Sequence, residues 1–279
     1  MIVFSHANSF VAGTYRRLLE GWRAAGHEVV AIERYGHDER HPIGRNWRGM
    51  TQQLLALIDS LPAPRVWLVG HSMGGYLSLI AAGQRPERVR GIVLLDSPVM
   101  SGLTSGVVSM VKAAGLMHRI PQASMAARRR ERWASKDEAY RHYAGKPMFA
   151  AWHPDVLRDY IDAGTEVDPQ DPSGSARCLS FKREVEAAIY ATVPHWLLPY
   201  WRRHPPGGPV AFIGGRRSDV IPRLGLKAIR RITHGRISWL AGSHLFPFEQ
   251  PDATVGEVLA WIDRLEPPGA DSRRASAIS

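Results

Sequence analysis

The sequence predicts an α/β fold: a doubly wound, mostly parallel sheet with an inserted helical cap. Short apolar runs, which suit strands covered on both faces, alternate with stretches of helical spacing. The apolar runs are residues 2–5, 28–33, 66–69, 91–96 and 210–214, with a sixth at 236–240. The helical stretches are residues 14–25, 47–60, 75–84 and 252–264. Repeated strand–helix–strand units of this kind build a parallel sheet with helices on both sides.

The strand–helix alternation stops between residues 97 and 208. Several helical patterns separated by Pro and Gly fill this stretch, and it is too long for a simple connection. We therefore expect a core of residues 1–96 and 209–265 and a helical cap of residues 97–208. Within the cap, residues 166–175 are expected to form a loop. Residues 266–279, rich in Pro, Ser, Ala and Arg, are expected to be a disordered tail.

Composition and charge indicate where the protein is located and which partners it lacks. The 279 residues include one cysteine, Cys178, so an internal disulfide is excluded and a reducing, cytoplasmic location is expected. No apolar run is long enough to span a membrane, and the N-terminus lacks the layout of a signal peptide. The net charge is +10, but the arginines are scattered apart from the run at 128–132 and a pair in the tail. Solvated helix faces account for them, so we expect no nucleic-acid partner.

Gly70-His71-Ser72-Met73-Gly74 follows the apolar run 66–69 and precedes a helical pattern. This G-x-S-x-G arrangement between a strand and a helix is typical of a nucleophile elbow. A serine on so tight a turn needs small neighbours two positions away on each side, and glycines occupy both positions. Ser72 is thus the predicted nucleophile.

A serine hydroxyl needs a base within hydrogen-bond reach, and the base needs a third group to orient it. His244 follows the run 236–240 in a tight loop, and Asp219 follows the run 210–214. We predict the triad Ser72, His244 and Asp219, in the chain order expected for this architecture. Asp96, at the end of its own strand, is the competing acid.

The oxyanion hole is predicted to combine the main-chain N–H of Met73 with that of Asn8, in the loop after the first strand. His6, at the base of that loop, is expected to orient the backbone. Residues 36–41 contain four side chains that could bind a metal, but their spacing matches no familiar zinc site, so no metal is expected.

Together these three motifs resemble those of the α/β-hydrolase superfamily, specifically its capped serine hydrolases. The elbow at 70–75, the acid loop at 214–219 and the histidine loop at 242–251 carry the resemblance. It implies an eight-stranded core sheet with a cap inserted after the sixth strand, here the run 91–96. Two features depart from the family: His6-Ala7 replaces the usual His-Gly, and the usual leading hairpin is missing.

The expected activity is a carboxylesterase-like hydrolysis (EC 3.1.1) of a small ester-like substrate without a cofactor. Carbon–carbon hydrolases, lactonases, thioesterases and acyltransferases share the same triad and stay open, as does a non-catalytic ligand receptor with this fold. Phe10, Trp196, Tyr200 and Trp201 are candidate substrate contacts. An alternative for the cap aromatics is that they anchor the cap onto the core.

Overall fold

A parallel sheet of six strands forms the centre of the protein. The computed structural model describes residues 1–224 and 226–266, and strands and helices are numbered along this described part of the chain. The sheet order is β2-β1-β3-β4-β8-β9, and each neighbouring pair is parallel. Its strands are β1 (Ile2–Ser5), β2 (Val29–Ala31), β3 (Val66–His71), β4 (Val89–Leu95), β8 (Val210–Gly215) and β9 (Ile237–Leu240).

Helices cover both faces of this sheet, as its apolar strands require. Successive strand residues point to opposite faces, so Leu68 and Val69 on β3 belong to two separate apolar clusters. One cluster contains residues of α2, α3 and α11, and the other contains residues of α1 and α13. These helices are α1 (Arg16–Ala24), α2 (Arg48–Ser60), α3 (Met73–Gln84), α11 (Leu226–Thr233) and α13 (Pro251–Leu265).

The chain between β4 and β8 is mainly helical. It contains α4 (Gly102–Ala113), α5 (Pro121–Ala127), α6 (Lys136–Ala144), α7 (Pro154–Gly164), α8 (Arg183–Ala191) and α9 (Leu197–Arg203). It also contains an antiparallel sheet of three short strands in the order β5-β7-β6, namely β5 (Arg132–Trp133), β7 (Arg177–Leu179) and β6 (Thr165–Val167). Two short helices complete the described chain, α10 (Val220–Leu224) and α12 (Phe246–Glu249).

Three sequence expectations need correction here. The small antiparallel sheet replaces part of an all-helical cap, and β6 extends to Val167, inside the stretch 166–175 that was expected to be a loop. The single cysteine, Cys178, lies on β7 and is partly buried. The main sheet has six strands within the described residues, not the eight that the family resemblance implied. Of the tail expected to be disordered, residues 267–279 lie outside the described residues.

Candidate active site

The elbow takes the conformation that its glycines make accessible. Ser72 lies between β3 and α3 with φ 51° and ψ −112°, in a region that favours glycine. A Cβ on Gly70 would overlap the main chain of Gly74, and one on Gly74 would overlap the carbonyl of Ser5. Because neither backbone can move without disturbing the sheet, larger residues are excluded at both positions. The turn therefore holds the Ser72 hydroxyl above the carboxyl end of the sheet.

His244 connects the serine to a carboxylate. The imidazole follows β9, and its Nε2 lies 3.0 Å from Ser72 Oγ. On the other side of the ring, Nδ1 lies 2.7 Å from Asp96 Oδ2. The structure thus brings together three side chains from the ends of β3, β4 and β9. Their hydrogen bonds run in the order that a general base and its orienting acid require.

The carboxylate at His244 is Asp96, which corrects the prediction of Asp219. Asp96 is fully buried, and it stands immediately after β4, which adjoins β3 in the sheet. Asp219 stands immediately before α10 and is exposed. The acid loop still contributes, because Ser218 Oγ donates to Asp96 Oδ2 at 2.6 Å and Gly215 N–H donates to Asp96 Oδ1 at 3.0 Å.

Glu249 holds the histidine loop in place. Its Oε1 accepts the Ser243 N–H at 3.1 Å, and it also accepts the Ser243 hydroxyl. Arg217 pairs with the same carboxylate at 3.0 Å. Since Glu249 is nearly buried, these bonds fix the residue that precedes His244.

The predicted oxyanion loop follows β1. Asn8 is anchored by its side chain, whose Nδ2 donates to Glu186 O at 3.1 Å and whose Oδ1 accepts the Ser9 N–H at 3.0 Å. Its main-chain N–H donates to no group in the described part of the chain. Met73 is the first residue of α3, where helix N–H groups lack intrahelical partners. Both predicted donors are therefore open to a ligand oxygen.

His6 supports this loop, as the sequence suggested. Its Nδ1 donates to Ala7 O at 2.8 Å, and its Nε2 accepts the Tyr35 N–H at 3.0 Å. Burial lowers the pKa of His6 from 6.5 to about 4, so the ring is neutral near pH 7.

Tyr15 and His71 link the oxyanion loop to the base. His71 Nε2 lies 2.9 Å from the His244 carbonyl, which can only accept, so Nε2 carries the proton. Burial keeps the His71 ring neutral by lowering its pKa well below 6.5, which leaves Nδ1 to accept from the Tyr15 hydroxyl at 2.7 Å. The Tyr15 oxygen in turn accepts the Ala7 N–H at 3.1 Å. Sequence reasoning missed this connection because no motif marks Tyr15.

A buried ion pair lies within the region between β4 and β8, and its acid, Glu186, also bonds the oxyanion loop. Arg129 and Glu186 are 2.5 Å apart, with side-chain exposures of 16% and 8%. Glu186 also accepts the Ser9 hydroxyl, and Arg129 donates to the hydroxyls of Tyr143 and Tyr160. The sequence had assigned the run at 128–132 to solvated helix faces. For Arg129 this was wrong, since tertiary packing buries it.

The candidate substrate residues mainly contact the protein itself. Phe10 packs among aromatic rings, with centroids 4.9 Å from Phe248 and 5.7 Å from Trp152. Tyr200 donates to Ile80 O at 3.1 Å, against α3. Trp196 and Trp201 are partly buried against the apolar cluster on that face. These contacts favour the anchoring alternative for the cap aromatics.

The other candidate ligands also have structural partners. In residues 1–224 and 226–266, no group of three or more His, Cys, Asp or Glu side chains could hold a metal ion. His37 Nε2 accepts the Lys182 N–H at 3.0 Å, and Asp38 pairs with Arg40 at 2.8 Å. Within the same residues, every helix is too short or too polar to cross a bilayer.

Comparison with known proteins identifies the family. The family model described as "Alpha/beta hydrolase family" matches residues 2–257. The chain belongs to the α/β-hydrolase family. Solved structures agree on the fold: the chain superposes on E-2-(acetamidomethylene)succinate hydrolase with a TM-score of 0.68, 20% identity and coverage of 94% of this chain and 91% of that one. For a peroxisomal α/β-hydrolase from Saccharomyces cerevisiae the TM-score is 0.70, with 18% identity and coverage of 99% and 82%.

Curated relatives of this α/β-hydrolase match over shorter stretches. An sn-1-specific diacylglycerol lipase from Mus musculus is 32% identical over 105 residues, which cover 35% of this chain and 34% of the lipase. A monoglyceride lipase from Rattus norvegicus is 26% identical over 125 residues, covering 42% of this chain and 41% of the lipase. These matches span well under half the length of either relative. Ethanol acetyltransferase 1 from Hanseniaspora uvarum is 22% identical over 246 residues, covering 84% and 70%.

Proposed function

We propose that this protein is a serine hydrolase that cleaves an ester or a related acyl bond, with Ser72 as nucleophile. The observation that carries the proposal is the continuous hydrogen-bonded chain from Ser72 through His244 to Asp96. A strained elbow, an imidazole and a fully buried carboxylate have no need to meet in a protein that only binds a ligand. This argues against the non-catalytic receptor.

In the proposed reaction, Ser72 Oγ attacks the carbonyl carbon while His244 Nε2 takes its proton. Asp96 holds the Nδ1–H and stabilises the imidazolium that forms. The tetrahedral intermediate collapses, and the alcohol leaves with the proton from His244, so the acyl group stays on Ser72. Water then loses a proton to His244 and attacks the acyl carbon, which releases the acid and restores the serine. No cofactor enters any step.

The negative charge of each intermediate falls on the former carbonyl oxygen. We assign its stabilisation to the N–H groups of Met73 and Asn8. Met73 supplies a helix N-terminus, where the macrodipole adds to the hydrogen bond. Asn8 supplies the N–H of a residue whose side chain is anchored on both sides.

An ester is the substrate class we favour, because two curated relatives are lipases. The second candidate is acyl transfer to an alcohol, since the longest of the matches cited above is to an ethanol acetyltransferase. The two reactions share the acyl-enzyme and differ only in the acceptor. Lactone, thioester and carbon–carbon bond cleavage use the same triad and stay open.

Labelling with a fluorophosphonate probe tests the nucleophile directly. We expect one label per folded protein, at Ser72, and hydrolysis of short p-nitrophenyl esters. Ser72→Ala should abolish labelling and lower kcat/KM by about 10³-fold or more, because triad members act as a unit. Ser78→Ala is the matched control, since Ser78 is buried on α3, directly after the elbow, and its Oγ donates to Gly74 O. If Ser72→Ala hydrolyses these esters as fast as the wild type, the proposal fails.

The identity of the acid is tested by two isosteric variants. Asp96→Asn removes the charge that orients Nδ1–H, so kcat should fall by about 10³- to 10⁴-fold. Asp219→Asn should stay within a few-fold of the wild type, because Asp219 is exposed and the carboxylate at Nδ1 is that of Asp96. The measurement is kcat on p-nitrophenyl acetate, with circular dichroism to verify folding. An inactive Asp219→Asn beside an active Asp96→Asn would reverse the assignment.

A further inference from the structure

Helix α4 has one attached face and one exposed apolar face. On the attached face, Ser105 Oγ donates to His195 O, Val108 packs against the core, and Lys112 Nζ donates to Val193 O at 3.0 Å. At helical spacing these three residues share one side. None of the twelve residues of α4 is buried.

The opposite side consists of Leu103, Val107 and Met110, which are 91%, 51% and 66% exposed. Their i, i+4, i+7 spacing aligns them in one stripe, called here the α4 apolar surface. Leu116 and Met125, which follow soon after, are 40% and 67% exposed. Three exposed apolar residues in one stripe are typical of an interaction site, whereas scattered single residues would need no explanation.

The segment around α4 has basic residues but no acidic ones. Residues 97–130 contain no Asp or Glu. Of their five basic residues, Lys112 lies on the attached face, and Arg129 and Arg130 pair with Glu186 and Glu138. Arg119 and Arg128 are exposed. An exposed apolar stripe with basic residues nearby and no acidic ones in its segment is complementary to a partner that has an apolar layer bordered by negative charges.

We propose that the α4 apolar surface binds an anionic lipid membrane, with α4 lying in the plane of the interface. Leu103, Val107 and Met110 would enter the boundary of the acyl chains, while Arg119 and Arg128 would meet the lipid phosphates. A second copy of this chain fits less well, because symmetric pairing would bring two acid-free basic segments together. This association is separate from the proposed hydrolase activity, since none of these residues contacts the candidate triad.

Vesicle flotation tests this proposal with the full chain. The probes are vesicles of phosphatidylcholine alone and of phosphatidylcholine with phosphatidylglycerol. We expect the wild type and Ser72→Ala to float equally with the anionic vesicles, and floating to weaken as salt rises. Leu103→Asp and Met110→Asp should each weaken binding by about tenfold or more, because each replaces a buried apolar contact by a charge.

Met148→Asp is the matched control, because Met148 is 55% exposed but lies outside the α4 apolar surface. It should bind as the wild type does. Three results would overturn the proposal: no flotation of the wild type, undiminished binding by Leu103→Asp, or equal loss in Met148→Asp. Dimers that dissociate in Leu103→Asp, seen by sedimentation without any vesicle binding, would assign the surface to a second copy. Binding to an acidic polypeptide but not to vesicles would assign it to a protein partner.

Discussion

At the scale of single residues, Tyr15 holds two distant parts of the candidate site in one arrangement. Its hydroxyl accepts from Ala7 N–H in the oxyanion loop and donates to His71, which in turn holds the His244 carbonyl. Tyr15→Phe would leave a buried N–H and a buried imidazole nitrogen without partners. We expect kcat on p-nitrophenyl acetate to fall by about tenfold with little change in KM, because the groups displaced act on the transition state.

Tyr35→Phe provides the control for this prediction. Tyr35 is equally buried, and its hydroxyl bonds Ser5 Oγ at 2.8 Å without reaching His71. Both variants should lose about 1 kcal/mol of stability or somewhat more, but only Tyr15→Phe should lose kcat. Equal losses of kcat in the two variants would show that Tyr15 only stabilises the fold.

Local sequence patterns identify two residues of the proposed triad, Ser72 and His244, but not its acid. Ser72 is marked by two glycines whose replacement the backbone forbids, and His244 is a histidine directly after the last strand. The acid is ambiguous because β4 and β8 are neighbours and each is followed by an aspartate. Only the register of these strands, which brings Asp96 against Gly215 and Ser218, decides between them.

At the scale of elements, apolar periodicity predicted the main sheet well and the region between β4 and β8 less well. All six strands of the sheet occur where apolar runs were found, since burial on both faces leaves a strong local signal. Strands β5, β6 and β7 have two or three residues each. Such short strands depend on pairing across long stretches of chain, which no local pattern records.

A prediction at the scale of elements concerns helix α8, because Glu186 on this helix accepts the Ser9 hydroxyl and pairs with Arg129. Glu186→Gln keeps the shape but leaves a buried guanidinium without its counter-charge. Breaking a buried pair in this way costs about 3–5 kcal/mol. We expect the free energy of unfolding to fall by that order, while kcat changes little, because a Gln oxygen still accepts the Ser9 hydroxyl and the Asn8 side chain bonds the main-chain oxygen of residue 186. Urea titration and ester hydrolysis measure the two effects.

Glu184→Gln is the control on the same helix. Glu184 is 69% exposed, and its pairing with Arg183 is at the surface, where ion pairs contribute little. This variant should stay within about 0.5 kcal/mol of the wild type. Should Glu186→Gln be no less stable than Glu184→Gln, the ion pair with Arg129 would not stabilise the packing of α8.

At the scale of the whole molecule, three histidines are held neutral by burial. The pKa values of His6 and His37 are lowered to about 4, and that of His71 is lowered well below 6.5. Each ring accepts a hydrogen bond on one nitrogen, which requires the neutral form. His6 lies at the base of the oxyanion loop and His71 in the elbow, so acid should loosen the candidate site and the fold together.

This arrangement predicts the pH dependence of stability. Above pH 6.5 the histidines are neutral in both the folded and the unfolded chain, and they contribute no dependence. As the pH falls from 6.5 towards about 4, the unfolded chain binds protons that the folded chain does not, so the free energy of unfolding decreases. For His6 alone the loss is about 2 kcal/mol at a pH of about 5.

Urea titrations at several pH values measure this change in the free energy of unfolding. His37→Asn should reduce this dependence of stability on pH. His118→Asn, at an exposed position, should leave the dependence unchanged. An unaltered slope in His37→Asn would contradict the prediction.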